Sequence, residues 1–186
     1  MRPEEGRVVI VVHVAISTAP DYVARREPHR SAHIERLGGL RAAGAVIGGG
    51  PAPDGGSVDL VYRLQRPDQL QLIVEEDPYW RAGAWTGYTP RSFTNFVEPW
   101  RLPEIVLDGS RPATVVEGRV TDPDMAEFVL IEMRGRQQIA FGGFFEHGAT
   151  FALCKTTDAA TALGWFSESG FWAAESSRAR PVLWVL

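Results

Sequence analysis

Ala45-Val46-Ile47-Gly48-Gly49-Gly50 and, 94 positions further on, Ile139-Ala140-Phe141-Gly142-Gly143-Phe144 carry one pattern, a short apolar run that passes into glycine. Such a run reads as a short buried strand, and the glycines lead from it into the turn that follows. A second block repeats as well. Glu76-Asp77-Pro78-Tyr79-Trp80 is mirrored by Glu168-Ser169-Gly170-Phe171-Trp172 at an offset of 92. The two-residue change in offset falls in the turn between the blocks, where shortening costs little. A tandem duplication is the economical reading.

Working outward from the first glycine run, Val8 to Ile16 is a Val/Ile/Ala-rich strand interrupted by His13, and Ser17 to Asp21 is turn-like. A helix is predicted from Pro28 to about Ala43, with Ile34, Leu37 and Leu40 at helical spacing and Gly44 as its stop. After Val46-Ile47 and the turn Pro53-Asp54-Gly55-Gly56, Val58 to Leu64 alternates as a strand. A second helix opens at Pro67 and runs through Val74 to a stop at Asp77-Pro78, and Phe93 to Val97 is predicted as the closing strand. The order β-α-β-β-α-β is the ferredoxin-like split arrangement. Residues 113–186 reproduce it, so the predicted organisation is one repeat over residues 1–100, a Pro/Gly-bearing linker over 101–112, and a second repeat over 113–186.

One such unit leaves a sheet face without helices, and an apolar bare face must be buried. A second copy on the same chain supplies the cover. The predicted fold is therefore α+β, two ferredoxin-like βαββαβ repeats forming an intramolecular, pseudo-dimeric α+β barrel. A chain that holds both halves is expected to be a monomer with pseudo-twofold symmetry, with self-association through the helices left open.

Composition removes several function classes. The 186 residues are 45 % hydrophobic and 10 % aromatic, which excludes a disordered chain. A net charge of -4 gives no electrostatic reason to approach nucleic acid. The N-terminal apolar run is too short for a membrane span and follows acidic Glu4 and Glu5, where a leader needs positive charge. With Cys154 as the single cysteine, no internal disulfide and no multi-thiolate zinc site can form, and a cytoplasmic location is the default expectation. Lys155 is the single lysine among 19 basic residues, a bias we assign to codon usage.

The first repeat resembles the YciI-like (YCII-related) family of the dimeric α+β barrel superfamily over roughly residues 7–100. The carriers are Arg30-Ser31-Ala32-His33 with Leu37 and Leu40, then Ala43-Gly44, Gly49-Gly50-Pro51, Asp77-Pro78-Tyr79, Ala82-Gly83 and Pro99. The resemblance implies a catalytic pair, His33 and Asp77, and chemistry such as cofactor-free elimination from a chlorinated hydroxyquinol. The second repeat is a degenerate copy, with Glu127 at the position of His33 and Ser169 at that of Asp77.

Read from the residues alone, His33 shares a helix face with Leu37 and Leu40 and is as well explained as a core histidine. Asp77 is expected in the last turn of a helix, facing the negative end of the macrodipole beside Glu75 and Glu76, or else as a simple pre-proline stop. Paired with His33, it would hold the imidazole in one tautomer and make it a better base. Arg30, one turn before His33, is either a substrate-anion ligand or a solvated arginine. Tyr79, Trp80, Trp85 and Tyr88 either wall a pocket for a flat ring or pack the core. His13 lies on the opposite strand face from Val12 and Val14; we place it with the substrate-binding candidates, expect no catalysis from it, and note Glu117 as a partner.

No metal is called for, because His29 and His33 at i,i+4 lack a third ligand, and Gly48-Gly49-Gly50 is not a phosphate loop, since no Lys-Ser/Thr follows. His147 is expected exposed and Cys154 packed. No cofactor is expected and the partner is a small-molecule substrate. The function read from the sequence is a cofactor-independent lyase, isomerase or cyclase moving a proton on a small cyclic or aromatic substrate. The alternatives are a cofactor-free monooxygenase of aromatic polyketide-type substrates and a non-catalytic ligand-binding or accessory protein.

Overall fold

The computed structural model describes residues 9–186; Glu4, Glu5 and Val8 of the sequence reading lie outside them. Contacts divide the chain into two units, residues up to Gly48 with Asp54–Ser92, and Gly49–Pro53 with Phe93–Leu186.

The first unit is built from β1 (Ile10–Thr18), α1 (Tyr22–Arg26), a 3-10 turn at Glu27–His29, α2 (Arg30–Ala42), the start of β2 (Val46–Pro51, which belongs to the second unit from Gly49 on), β3 (Ser57–Leu64), α3 (Gln69–Glu75), α4 (Pro78–Arg81) and β4 (Trp85–Ser92). The strands form a sheet in the order β2-β3-β1-β4, with β1 antiparallel to both neighbours in the register His13 opposite Val61 and Arg91. Alternation along β1 and β3 puts Val12, Val14, Ile16, Val58, Leu60 and Tyr62 on one face, all 4 % exposed or less. His13, Ala15, Asp59 and Val61 occupy the other face.

The second unit holds β5 (Asn95–Val97), β6 (Pro112–Arg119), α5 (Pro123–Gly135), β7 (Ile139–Phe144), β8 (Ala149–Cys154), α6 (Ala159–Ser167) and β9 (Arg178–Leu183), in a sheet ordered β5-β7-β8-β6-β9. Leaving β5 aside, the connectivity is that of the first unit. Its core gathers Leu130, Met133, Ile139, Phe144, Phe166 and Trp172 between helices and sheet. Cys154 is fully buried there and burial pushes its thiol up, which makes it an inert packing group.

The structure differs from the reading above in the short helices α1 and α4, which the sequence did not announce, and in the closing strand of the first unit. The strand that closes the first unit is Trp85–Ser92, and the segment expected to do so pairs with β7 instead, Phe96 opposite Gly143. The physical reason is aromatic packing. Phe93 stacks on Phe145 at 4.6 Å and Phe96 lies 6.0 Å from Phe141, so the segment buries its rings in the second unit. Pro90, which argues against a central strand, is tolerated in β4 because β4 is an edge.

The glycine runs owe their composition to close backbone approach. A Cβ on Gly50 would stand 1.8 Å from the carbonyl oxygen of Leu183, and one on Gly143 would stand 2.3 Å from that of Asn95. Gly38 in α2 has nothing within 4 Å of the same position. Gly50→Ala and Gly143→Ala are each expected to lower stability by about 2–4 kcal/mol, and Gly38→Ala to raise it by about 0.5–1 kcal/mol, all read from urea midpoints.

Candidate functional site

Asp77 is delivered by the junction of two short helices. α3 ends at Glu75, and Asp77 takes extended geometry (φ -65°, ψ 137°) because Pro78 follows it. Pro78 opens α4 at the first-turn position that proline favours, and the Asp77 carboxylate accepts the backbone N–H of Tyr79 at 2.9 Å. Asp77 is thus the N-cap of α4. The expectation that it faces the negative end of a helix is corrected: the chain turns after α3, and the carboxylate meets the positive end of the next helix.

The same carboxylate accepts from His33. Nδ1 of His33 lies 2.8 Å from Oδ1 and 3.0 Å from Oδ2 of Asp77, with the two residues 8 % and 2 % exposed. An ionised carboxylate only accepts, so Nδ1 carries the proton and Nε2 presents its lone pair. Nε2 has no hydrogen-bond partner among the described residues, and it is not among the sealed polar atoms. α2 supplies the imidazole from a helix that turns Leu37, one turn on, into the core.

Aromatic rings hold the imidazole. Tyr79 stacks on His33 at 3.8 Å and 14°, and Trp85 meets both rings edge-on at 5.4 and 5.8 Å. Burial pushes the Tyr79 hydroxyl up to about 12 against the lowering influence of Arg26 and Arg30, so it stays protonated through the neutral range. Arg30, one turn before His33, is therefore close enough to act electrostatically at this cluster.

The structure thus brings together His33, Asp77, Tyr79 and Trp85, with Arg30 beside them. Trp80 and Tyr88 form a separate edge-on pair at 5.4 Å, and the Tyr88 hydroxyl donates to Glu75 at 3.1 Å. His13 lies apart, on the other face of the sheet. It is fully buried, its Nε2 is 2.8 Å from Asp59 Oδ1, and Arg91 approaches its Nδ1 at 3.3 Å.

Three residues escaped the sequence reading. Arg36, one turn after His33, donates to the carbonyls of Leu72 and Ile73 at 3.1 and 3.3 Å and so ties the end of α3 to α2. Its i+3 spacing from His33 was the available signal. Tyr62, fully buried, has its hydroxyl pushed up by burial and by the Asp77 charge. Asp59 is the partner of His13, and its place on the same strand face could have been read from the alternation of β3. Among the described residues no group of three or more His, Cys, Asp or Glu side chains could hold a metal ion, and no helix is long and apolar enough to cross a membrane.

This geometry sits in an α+β fold with two antiparallel sheets, which solved structures share over nearly their whole length. A candidate monooxygenase from Lactobacillus acidophilus superposes with a TM-score of 0.62 at 9 % identity, covering 96 % of this chain and 94 % of that one. A candidate monooxygenase from Fusobacterium nucleatum gives 0.58 at 8 % identity over 97 % and 94 %. A chlorite dismutase variant from Candidatus Nitrospira defluvii gives 0.53 at 9 % identity over 95 % and 90 %. The class is the ferredoxin-like α+β barrel fold. Within it, residues 10–94, which hold both His33 and Asp77, match the family model of the YCII-related domain. A search of curated proteins finds no match.

Asp77→Ala removes a helix cap and the acceptor of a buried N–H together. We expect a stability loss of about 2–4 kcal/mol by denaturant titration. In the intact protein, ring ¹⁵N NMR of His33 should show Nδ1 protonated and Nε2 bare at pH 8, and the reverse tautomer would remove the assignment.

Proposed function

We propose that the protein is a cofactor-independent enzyme that moves a proton on a small cyclic or aromatic substrate, a lyase, isomerase or cyclase with His33 as general base. The observation that carries this reading is the two-point hold of the Asp77 carboxylate on His33 Nδ1, which leaves Nε2 directed away from its partner as the basic atom. Nε2 takes a proton from an acidic C–H or O–H of the substrate and becomes imidazolium. Asp77 stabilises that cation without taking the proton, and Arg30 offsets the negative charge left on the substrate oxygen. The proton returns to another substrate atom, or leaves with a departing anion. Every charge in the cycle is met by groups of the first unit. Tyr79 and Trp85 act in this reading by fixing the ring plane of His33, since both lie packed against it.

The second unit is, in the same proposal, a copy that has lost the pair, because Glu127 and Ser169 cannot reproduce an imidazole oriented by a carboxylate. An oxygenase reading draws on the fold alone and has no residue of this chain behind it.

The test needs no knowledge of the physiological substrate. Cyclic 1,3-diketones and hydroxyquinols are incubated in D₂O, and loss of the acidic C–H signal is followed by NMR. The wild-type protein is expected to accelerate exchange. His33→Ala should lose roughly 10²–10⁴-fold while its circular dichroism is unchanged. Asp77→Asn loses the carboxylate that orients the ring and should also lower the exchange rate. A folded His33→Ala protein with full exchange activity would sink the proposal.

A further inference from the structure

The second unit carries a groove of about 420 Å³ that the His33 chemistry does not use. Its walls bring together Trp100, Arg101, Arg134, Gln137, Lys155 and Trp184, and no Asp or Glu is among the lining residues. Volumes of this order suit a one- or two-ring molecule. Two aromatic rings, three cations and no counter-charge define what such a molecule must offer.

The hydrogen-bonding inventory sharpens this. The charged and indole groups in the wall can only donate. The one side-chain acceptor, Oε1 of Gln137, already takes the Lys155 ammonium at 2.6 Å. Trp184 is 9 % exposed, and its indole N–H has no acceptor; the same holds for Nε of Arg134. Arg134 is otherwise anchored, with one guanidinium nitrogen 3.0 Å from the Glu98 carbonyl and the group 5.5 Å from the Trp100 ring centroid. The Trp184 N–H and Arg134 Nε are sealed from solvent, so what the groove offers a ligand is the cationic groups, Arg101 and Lys155 being exposed, and a charged acceptor meets these best.

Two further features belong to the same place. Gln137 has φ 63°, a left-handed geometry that a non-glycine residue adopts at a cost, and it does so where α5 ends and its side chain reaches Lys155. Lys155 is the single lysine of the chain, and desolvation lowers its ammonium below the ordinary lysine range, as expected for a cation whose surroundings supply no carboxylate.

We infer that this groove is a second ligand site, specific for small aromatic carboxylates, whose ring lies against Trp100 and Trp184 and whose carboxylate bridges Lys155 and Arg134. Trp100, 67 % exposed, is the flat outer wall, and an exposed indole beside an arginine stack is a normal way to hold a planar anion. The site uses residues of the second unit alone.

The probe is 2-naphthoate, titrated into the whole chain by calorimetry and by ¹H–¹⁵N NMR of the tryptophan indoles. Saturable one-site binding is expected, with the indole signals of Trp100 and Trp184 shifting and that of Trp85, packed on His33, staying in place. Lys155→Gln should weaken binding by about tenfold or more and Lys155→Arg should restore it, since a charge-assisted bond is at stake. Neutral 2-naphthamide should bind at least about tenfold more weakly than the carboxylate. Should Lys155→Gln not fold, Trp100→Ala at the exposed wall is expected to weaken binding in its place. No saturable binding, equal binding of amide and carboxylate, or a shift at Trp85 with Trp100 and Trp184 stationary would each overturn the inference.

Discussion

The candidate site depends on one carboxylate serving two partners. Asp77 caps α4 through the Tyr79 N–H and orients His33 through Nδ1, and neither role is separable from the other. Because the cap sets where α4 begins, it also sets where the Tyr79 ring lies over the imidazole. The tight turn that follows, with Gly83 at φ 67° and Ala84 N–H on the Tyr79 carbonyl, then brings Trp85 edge-on to both rings. A helix terminus is in this way converted into a fixed histidine. Arg36 completes the frame by holding the end of α3 on α2, which keeps Asp77 within reach of His33.

The first unit contains two His–Asp pairs, and their difference decides which one suits chemistry. His13–Asp59 and His33–Asp77 are both held at 2.8 Å. His13, however, is fully buried between Asp59 on one ring nitrogen and Arg91 on the other, while His33 is engaged at one nitrogen only. A histidine bound at both nitrogens has no atom to offer a substrate. Breaking such a sealed pair strands a buried polar group at a cost of about 3–5 kcal/mol, which is reason enough for a sheet to keep it.

Much of this was legible in the sequence where local pattern and packing agree. The helix that carries His33 follows from Ile34, Leu37 and Leu40, whereas the close backbone approaches at Gly50 and Gly143 become visible only once distant strands pair. The pairing of His33 with Asp77 was reached through the family resemblance, because 44 residues separate them and no periodicity links two elements at that distance. The direction of the helix field at Asp77 was misread for a local reason. A proline can end one helix by starting another, and only the turn at Glu76 distinguishes the two. The strand at Asn95–Val97 was assigned to the wrong unit because its aromatic partners, Phe141 and Phe145, lie about fifty residues further on. The groove was invisible since Trp100, Lys155 and Trp184 converge only through long-range folding.

The second unit makes a comparable turn without a carboxylate. At the position 92 residues beyond Asp77, Ser169 accepts the N–H of Phe171 at 3.3 Å, the same i+2 contact that Asp77 makes to Tyr79. The local turn is there held by a hydroxyl. A serine hydroxyl also donates, and here it does so to the Phe166 carbonyl at 2.7 Å, so its capacity is spent within its own turn. A carboxylate has two oxygens and several lone pairs, enough to cap a helix and hold an imidazole at once. The difference between a structural turn and a candidate catalytic turn thus comes down to acceptor count.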